Sequence, residues 1–171
     1  MQMPSGVGQP ADLLNRFLAR LIDYVLLAIV NAIVVTVVVV GTIMGSSAGA
    51  YGIGGSGNLA PRAISALLTA IIALAYFSLM EANTGQTLGK MALKLRTYGV
   101  GGGKPTLGEA IRRNAFTAFG IIGIIPVVGG WIGALASLVA VVMIAVTINN
   151  SPIREGWHDK FAGGTKVIKV G

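Results

Sequence analysis

Residues 21–43 read LIDYVLLAIVNAIVVTVVVVGTI, a run in which Asp23 is the one formally charged side chain. As an α-helix it reaches about 35 Å, enough for the ~30 Å hydrocarbon layer of a bilayer. Three further runs, Ala63 to Met80, Ala115 to Ile125 and Trp131 to Ile148, contain no Asp, Glu, Lys or Arg. The reading is an all-α membrane protein with four transmembrane helices, at about residues 21–43, 62–81, 107–125 and 130–148. Composition agrees: 54% of residues are hydrophobic and 11% charged, and the mean hydropathy of +0.77 leaves too little polar surface for a water-soluble domain. Four spans of about 20 residues each consume nearly half of the 171 residues. Little is left for a catalytic domain, so the chain is not expected to be an enzyme.

The net charge of +7 raises nucleic-acid binding as an alternative. The basic residues, however, are dispersed among short segments and are not gathered with aromatics on one soluble face. Arg16 and Arg20 precede the first run, and Lys90, Lys94, Arg96, Lys104, Arg112 and Arg113 lie between the second and third. Arg154, Lys160, Lys166 and Lys169 follow the fourth, which leaves Arg62 as the sole exception. Cytoplasmic loops retain Lys and Arg, so both termini and the central loop are expected in the cytoplasm of a multi-pass cell-membrane protein. No nucleic-acid partner is expected. With no Cys and one His, thiolate chemistry and a multi-His metal cage are excluded, and no metal or other cofactor is expected.

The run Ala115 to Ile125 alone is too short to cross as an α-helix. Thr106 and Glu109 have the spacing of a capping box, which starts that helix at Leu107 and lets Arg112 and Arg113 snorkel towards headgroups. Pro126, Gly129 and Gly130 then mark a tight external turn into the fourth span. Residues 1–11 read as a flexible N-terminal tail, and the membrane domain occupies 12–171, with 149–171 as a cytoplasmic C-terminal segment. Gly45 to Pro61 reads as a Gly/Ser-rich external loop. Although Ala48-Gly49-Ala50 has a small-x-small pattern, the first apolar run is longer than a signal peptide requires, so it is read as uncleaved. Two short stretches alternate with a period of two, residues 93–98 and 165–170. They are expected to pair as a small cytoplasmic two-strand element, which would carry Asp159 towards Arg16 and Asp23.

Arg16, Arg20 and Asp23 fall within about 60° on the first helix, and Asn31 continues the polar stripe. A buried aspartate at a helix centre costs about 2.5–3.5 kcal/mol, so Asp23 is expected to pair with Arg16 or Arg20. Glu81 is expected to meet Lys90 or Arg16. Gly85 to Lys90 is not a phosphate loop, because its glycines are too close and Met91 stands where the Mg²⁺-binding hydroxyl belongs. Gly85 and Gly89 instead suit a close turn as the chain leaves the bilayer. His158 precedes Asp159, but neighbours on a helix diverge by about 100°, so the pair makes no dyad by itself. Trp157 reads as an interfacial anchor.

Five of these motifs occur in a recognisable order: Arg16-Phe-Leu-Ala19-Arg-Leu-Ile-Asp23, Gly85-Gln-Thr87-Leu-Gly89-Lys90, Arg113-Asn114, Gly156-Trp157-His158-Asp159-Lys160, and Ala162-Gly163-Gly164-Thr165 with Val167-Ile168. Together they resemble the RDD family of small bacterial membrane proteins, named for one Arg and two Asp residues. The resemblance assigns those roles to Arg16, Asp23 and Asp159. The extra glycine of Gly163-Gly164 and the charged Lys166 depart from the family pattern. What the resemblance implies is a polytopic membrane domain with cytoplasmic motifs, for which transport is a proposed activity.

Two function classes follow. In the first, Arg16, Asp23 and Asp159, supported by Asn31, Glu81 and Lys90, form an ion- or proton-binding site of a small transporter. Four spans make a narrow monomer, so a homodimer or larger oligomer is expected. In the second, the polar constellation only maintains shape, and the chain is a regulatory or assembly subunit that binds another membrane protein.

Overall fold

The computed structural model describes residues 8–45, 59–125 and 128–171. The first seven residues of the expected tail, residues 46–58 of the external loop and Pro126 lie outside them. Asp12 opens α1 (Leu13–Gly45) by accepting the Asn15 amide at 2.9 Å, and α2 (Leu59–Thr84) is the second long apolar helix. The short α3 (Leu88–Ala92) starts at Thr87, whose hydroxyl accepts from the Lys90 amide. Next come β1 (Leu95–Tyr98) and α4 (Leu107–Asn114). A ten-residue 3-10 segment, Ala115–Ile124, leads to α5 (Gly129–Asn150), α6 (Trp157–Phe161) and β2 (Lys166–Lys169). Among the described residues, three helical stretches are long and apolar enough to cross a membrane: Leu13–Val34, Ala63–Thr84 and Gly129–Asn150.

The third expected span is not one continuous α-helix. The Thr106–Glu109 capping box forms as its spacing requires. Eight residues later the α-helix gives way to the 3-10 segment, where the Thr117 hydroxyl bonds back to the Asn114 carbonyl at 2.7 Å. The 3-10 segment packs against both α2 and α5. Gly129 permits the second contact, since a Cβ there would lie 2.3 Å from the Ile122 carbonyl oxygen.

β1 and β2 pair antiparallel, Leu95 opposite Lys169 and Tyr98 opposite Lys166. The pairing starts later than the alternation suggests because Lys94 adopts a left-handed φ of 54°, which breaks the pleat. Gly8 to Ala11, expected as part of a flexible tail, instead run beside β2. The Gly8 and Ala11 amides donate to the Lys169 and Val167 carbonyls at 2.8 and 2.9 Å. Val167 thereby packs with Ala11, Ala19 and Leu95 in a small core. A second cluster, Leu27, Ala73 and Phe77, joins α1 to α2.

Candidate functional site

The polar side chains that the apolar helices exclude converge where α1, α2 and α4 meet the sheet and α6. Arg16, one turn into α1, donates from Nη1 to Asp159 Oδ2 at 2.9 Å, from Nη2 to the Arg154 carbonyl at 2.6 Å and from Nε to the Ala11 carbonyl at 3.1 Å. The other Asp159 oxygen faces Arg113 Nη2 at 3.2 Å. The Gly156 amide and Thr165 hydroxyl complete its shell at 3.0 and 3.1 Å. Burial pushes this carboxyl up, but Arg113, His158 and Arg16 outweigh burial and hold it well below the usual carboxylate range. The turn behind it uses the extra glycine: Gly163 and Gly164 both have φ of 101°, a conformation that other residues rarely adopt. The Gly164 and Thr165 amides then donate to the Asp159 carbonyl.

Glu81 is the second anionic centre and is fully buried. Its partner is Lys90, whose ammonium also donates to Thr97 on β1 at 2.8 Å. Arg113 Nε lies 3.8 Å from the far oxygen of Glu81, and Asn114 Nδ2 donates to that oxygen at 3.1 Å. Burial pulls the Lys90 ammonium down to about 8, with Glu81 opposing the fall. Arg113 thus bridges the two carboxylates. It does not snorkel to headgroups: the capping box fixes the phase of α4, and Ala110, Arg113 and Asn114 share its inward face.

Asp23 pairs with neither Arg16 nor Arg20, contrary to expectation. It is buried and accepts from the Thr87 hydroxyl at 2.5 Å, the Tyr76 hydroxyl at 2.7 Å and the Gly89 amide at 2.8 Å. The cause is the approach of α3 to α1. A Cβ on Gly89 would lie 2.0 Å from the Ala19 carbonyl oxygen, so the absent side chain lets backbone meet backbone and turns the Gly89 amide onto Asp23. Gly85, at φ 75°, makes the preceding turn. Arg16 and Asp159 are therefore brought together, whereas Asp23 sits in a separate shell of neutral donors.

Arg20 bonds Asn114 Oδ1 at 2.9 Å and stacks its guanidinium 3.4 Å from the Phe77 ring centroid. It has no carboxylate partner among the described residues. With Arg16, Lys90, Arg113 and His158 it lines a cavity of about 180 Å³ whose other wall is α5. A second cavity, of about 490 Å³, lies between α1, α2 and the 3-10 segment and is lined by Asn31, Ser65, Thr69 and Thr117. Tyr24 borders both cavities. The Asn31 Oδ1 atom is buried without a hydrogen-bond partner among the described residues.

Sequence reasoning did not single out the hydroxyls of Tyr76, Thr87 and Thr165 as donors to the carboxylates, nor that of Thr97 as an acceptor for Lys90. Neutral hydroxyls carry no charge signal, and Tyr76 and Thr87 lie 53 and 64 positions from Asp23. Among the described residues, no group of three His, Asp or Glu side chains converges in a way that would hold a metal.

His158 is buried, and burial pushes its imidazole down to about 3 despite the neighbouring Asp159. The folded ring therefore stays neutral where the unfolded one takes up a proton. Stability contributed by this group is present above about pH 6.5 and is lost as pH falls towards about 3, at up to about 1.4 kcal/mol per pH unit. Asp159 acts in the same direction at lower pH, because its depressed folded value makes its contribution vanish on acidification. Thermal unfolding in neutral detergent should show a midpoint that drops between pH 6.5 and 4.5, and His158→Gln should flatten that slope. An equally steep slope in the variant would assign it to other groups.

Comparison with protein-family models finds a match to the RDD family over residues 10–163. Comparison with curated proteins and with solved structures gives no match.

Proposed function

This chain belongs to the RDD family, and from that premise we propose that it moves a small ion or a proton-coupled solute, with Asp23 as the group whose charge changes during the cycle. One observation carries the reading: Asp23 is a buried carboxylate held by three neutral donors and, among the described residues, by no cation. A carboxylate so placed has hydrogen bonds but no fixed counter-charge, which leaves room for a small cation as its partner, whereas Asp159 already faces two arginines. Tyr24, one residue along α1, lines two cavities, the second of which also holds Asn31, Ser65, Thr69 and Thr117.

The proposed topology is four crossings of the cell membrane with both termini cytoplasmic. Three apolar helices and the charge distribution support it. The 3-10 geometry adds length to the third proposed crossing, because ten residues rise about 20 Å instead of about 15 Å. So narrow a bundle requires a homodimer or larger oligomer for a complete pathway. The alternative, a non-catalytic regulatory or assembly subunit bound to another membrane protein, draws on a different fact: each oxygen of Asp23 and Asp159 already has an internal donor.

Reconstituted flux separates the two. In liposomes under an imposed pH or sodium gradient, the protein should dissipate the gradient, and Asp23→Asn should slow it by tenfold or more while keeping a sharp thermal transition. Asp159→Asn should instead reduce folded yield. Absence of flux in the original protein under every gradient, with a stoichiometric foreign partner on purification, sinks the transport reading in favour of the subunit.

A further inference from the structure

The first cavity has a charge surplus that the internal pairings do not absorb. Arg16, Lys90 and Arg113 share the two carboxylates of Asp159 and Glu81, and Arg20 adds a fourth cation with no carboxylate of its own. Donor atoms remain open on the same groups: Arg20 Nε and Nη2 and Arg113 Nη1 are buried without a hydrogen-bond partner among the described residues. Arg113 itself is only 4% exposed and lines the cavity. A buried cationic donor without an acceptor is costly, which points to an acceptor supplied from outside the chain.

The remaining walls say what kind of acceptor. Phe17 and Leu21 of α1 and Val141 and Ile144 of α5 line the same cavity, and Phe17, Leu21 and Val141 are also exposed on the apolar outer face. The cavity is thus cationic at its inner end and hydrocarbon-lined at the side that faces lipid. We infer that the cleft between α1 and α5 binds one anionic glycerophospholipid, its headgroup phosphate on Arg20 and Arg113 and its acyl chains along Phe17, Leu21, Val141 and Ile144. A phosphate accepts the forked donors of arginine, and basic pockets between membrane helices suit anionic headgroups. A freely diffusing anion would satisfy the arginines but leave the apolar walls unused. The assignment is independent of transport, since it concerns the cationic cleft and not Asp23.

Native mass spectrometry of the full chain in neutral detergent tests it, with phosphatidylglycerol, phosphatidylcholine and inorganic phosphate as probes. One phosphatidylglycerol should remain bound per chain and raise the unfolding temperature, whereas phosphatidylcholine should not. Arg20→Gln should weaken retention about tenfold or more, the scale of losing charge-assisted hydrogen bonds. Val141→Trp fills the cleft from its lipid-facing wall without touching the ion pairs, and it should weaken retention similarly while leaving the fold intact. Equal retention of the two lipids, or phosphatidylglycerol retention unchanged in both variants, overturns the proposal. So does stabilisation by inorganic phosphate that matches phosphatidylglycerol, which would make the site one for a soluble anion. A dimer in lipid-free detergent that Val141→Trp converts to monomer would give the cleft to a second copy of the chain and likewise overturn it.

Discussion

Asp159→Ala should lower folding stability by about 3–5 kcal/mol, the range for removing one partner from a buried ion pair. The effect is large because two guanidiniums depend on one carboxylate. Arg16 and Arg113 lie 2.9 and 3.2 Å from its oxygens, with side chains 8% and 5% exposed. Removing the anion leaves both cations in a poorly solvated site, and the Gly156 amide and Thr165 hydroxyl lose their acceptor as well. Equilibrium unfolding in mixed detergent micelles measures the change. Arg16→Met combined with Asp159→Ala should cost less than the sum of the two single variants, since the second change removes a charge that the first has stranded. A loss below about 1 kcal/mol for Asp159→Ala, typical of an exposed pair, would show that water reaches this cluster.

Gly89→Ala should be nearly as damaging, at about 3 kcal/mol, the upper part of the usual overpacking range. The new methyl would stand 2.0 Å from the Ala19 carbonyl oxygen and 3.1 Å from Asp23 Cγ. α3 must withdraw from α1, and withdrawal takes the Gly89 amide and Thr87 hydroxyl off Asp23. The same unfolding assay should show the loss, and Ala19→Gly should fail to rescue it because the obstacle is backbone. Gly85→Ala is a useful contrast. A Cβ there comes no nearer than 3.0 Å to the Thr97 carbonyl oxygen, so the left-handed φ supplies most of the strain, at about 1–2 kcal/mol. If Ala19→Gly restores Gly89→Ala, the contact between the two helices is looser than described.

The membrane class, the capping box of α4 and the strand pair were legible because each rests on local chemistry: uninterrupted apolar runs, Thr106 three residues before Glu109, and alternation on either side of Arg96 and Ile168. Partner choice was not. Arg16, Arg20 and Asp23 share a helical face, and from sequence they look like mutual partners. Yet α3 is drawn so close by Gly89 that the short Asp23 side chain meets amides and hydroxyls first, while the longer arginines reach Asp159 and Asn114. Arg113 illustrates the same limit. Its place beside an apolar run suggests headgroups, whereas the rotation of α4 turns it onto Glu81 and Asp159. The break of the third span into 3-10 geometry was equally hidden, since Ala115 to Ile125 is apolar in either helix.

The pairing of Arg16 with Asp159 spans 143 positions of chain, and this sets an order of events during translation. At about 5–20 residues per second, Arg16 waits on the order of ten seconds for its counter-charge to leave the ribosome. β2, which both β1 and the segment before α1 join, emerges later still. α1 and α2 therefore leave the ribosome well before their polar ends can be fastened, and a nascent chain halted before residue 159 leaves Arg16 without its counter-charge.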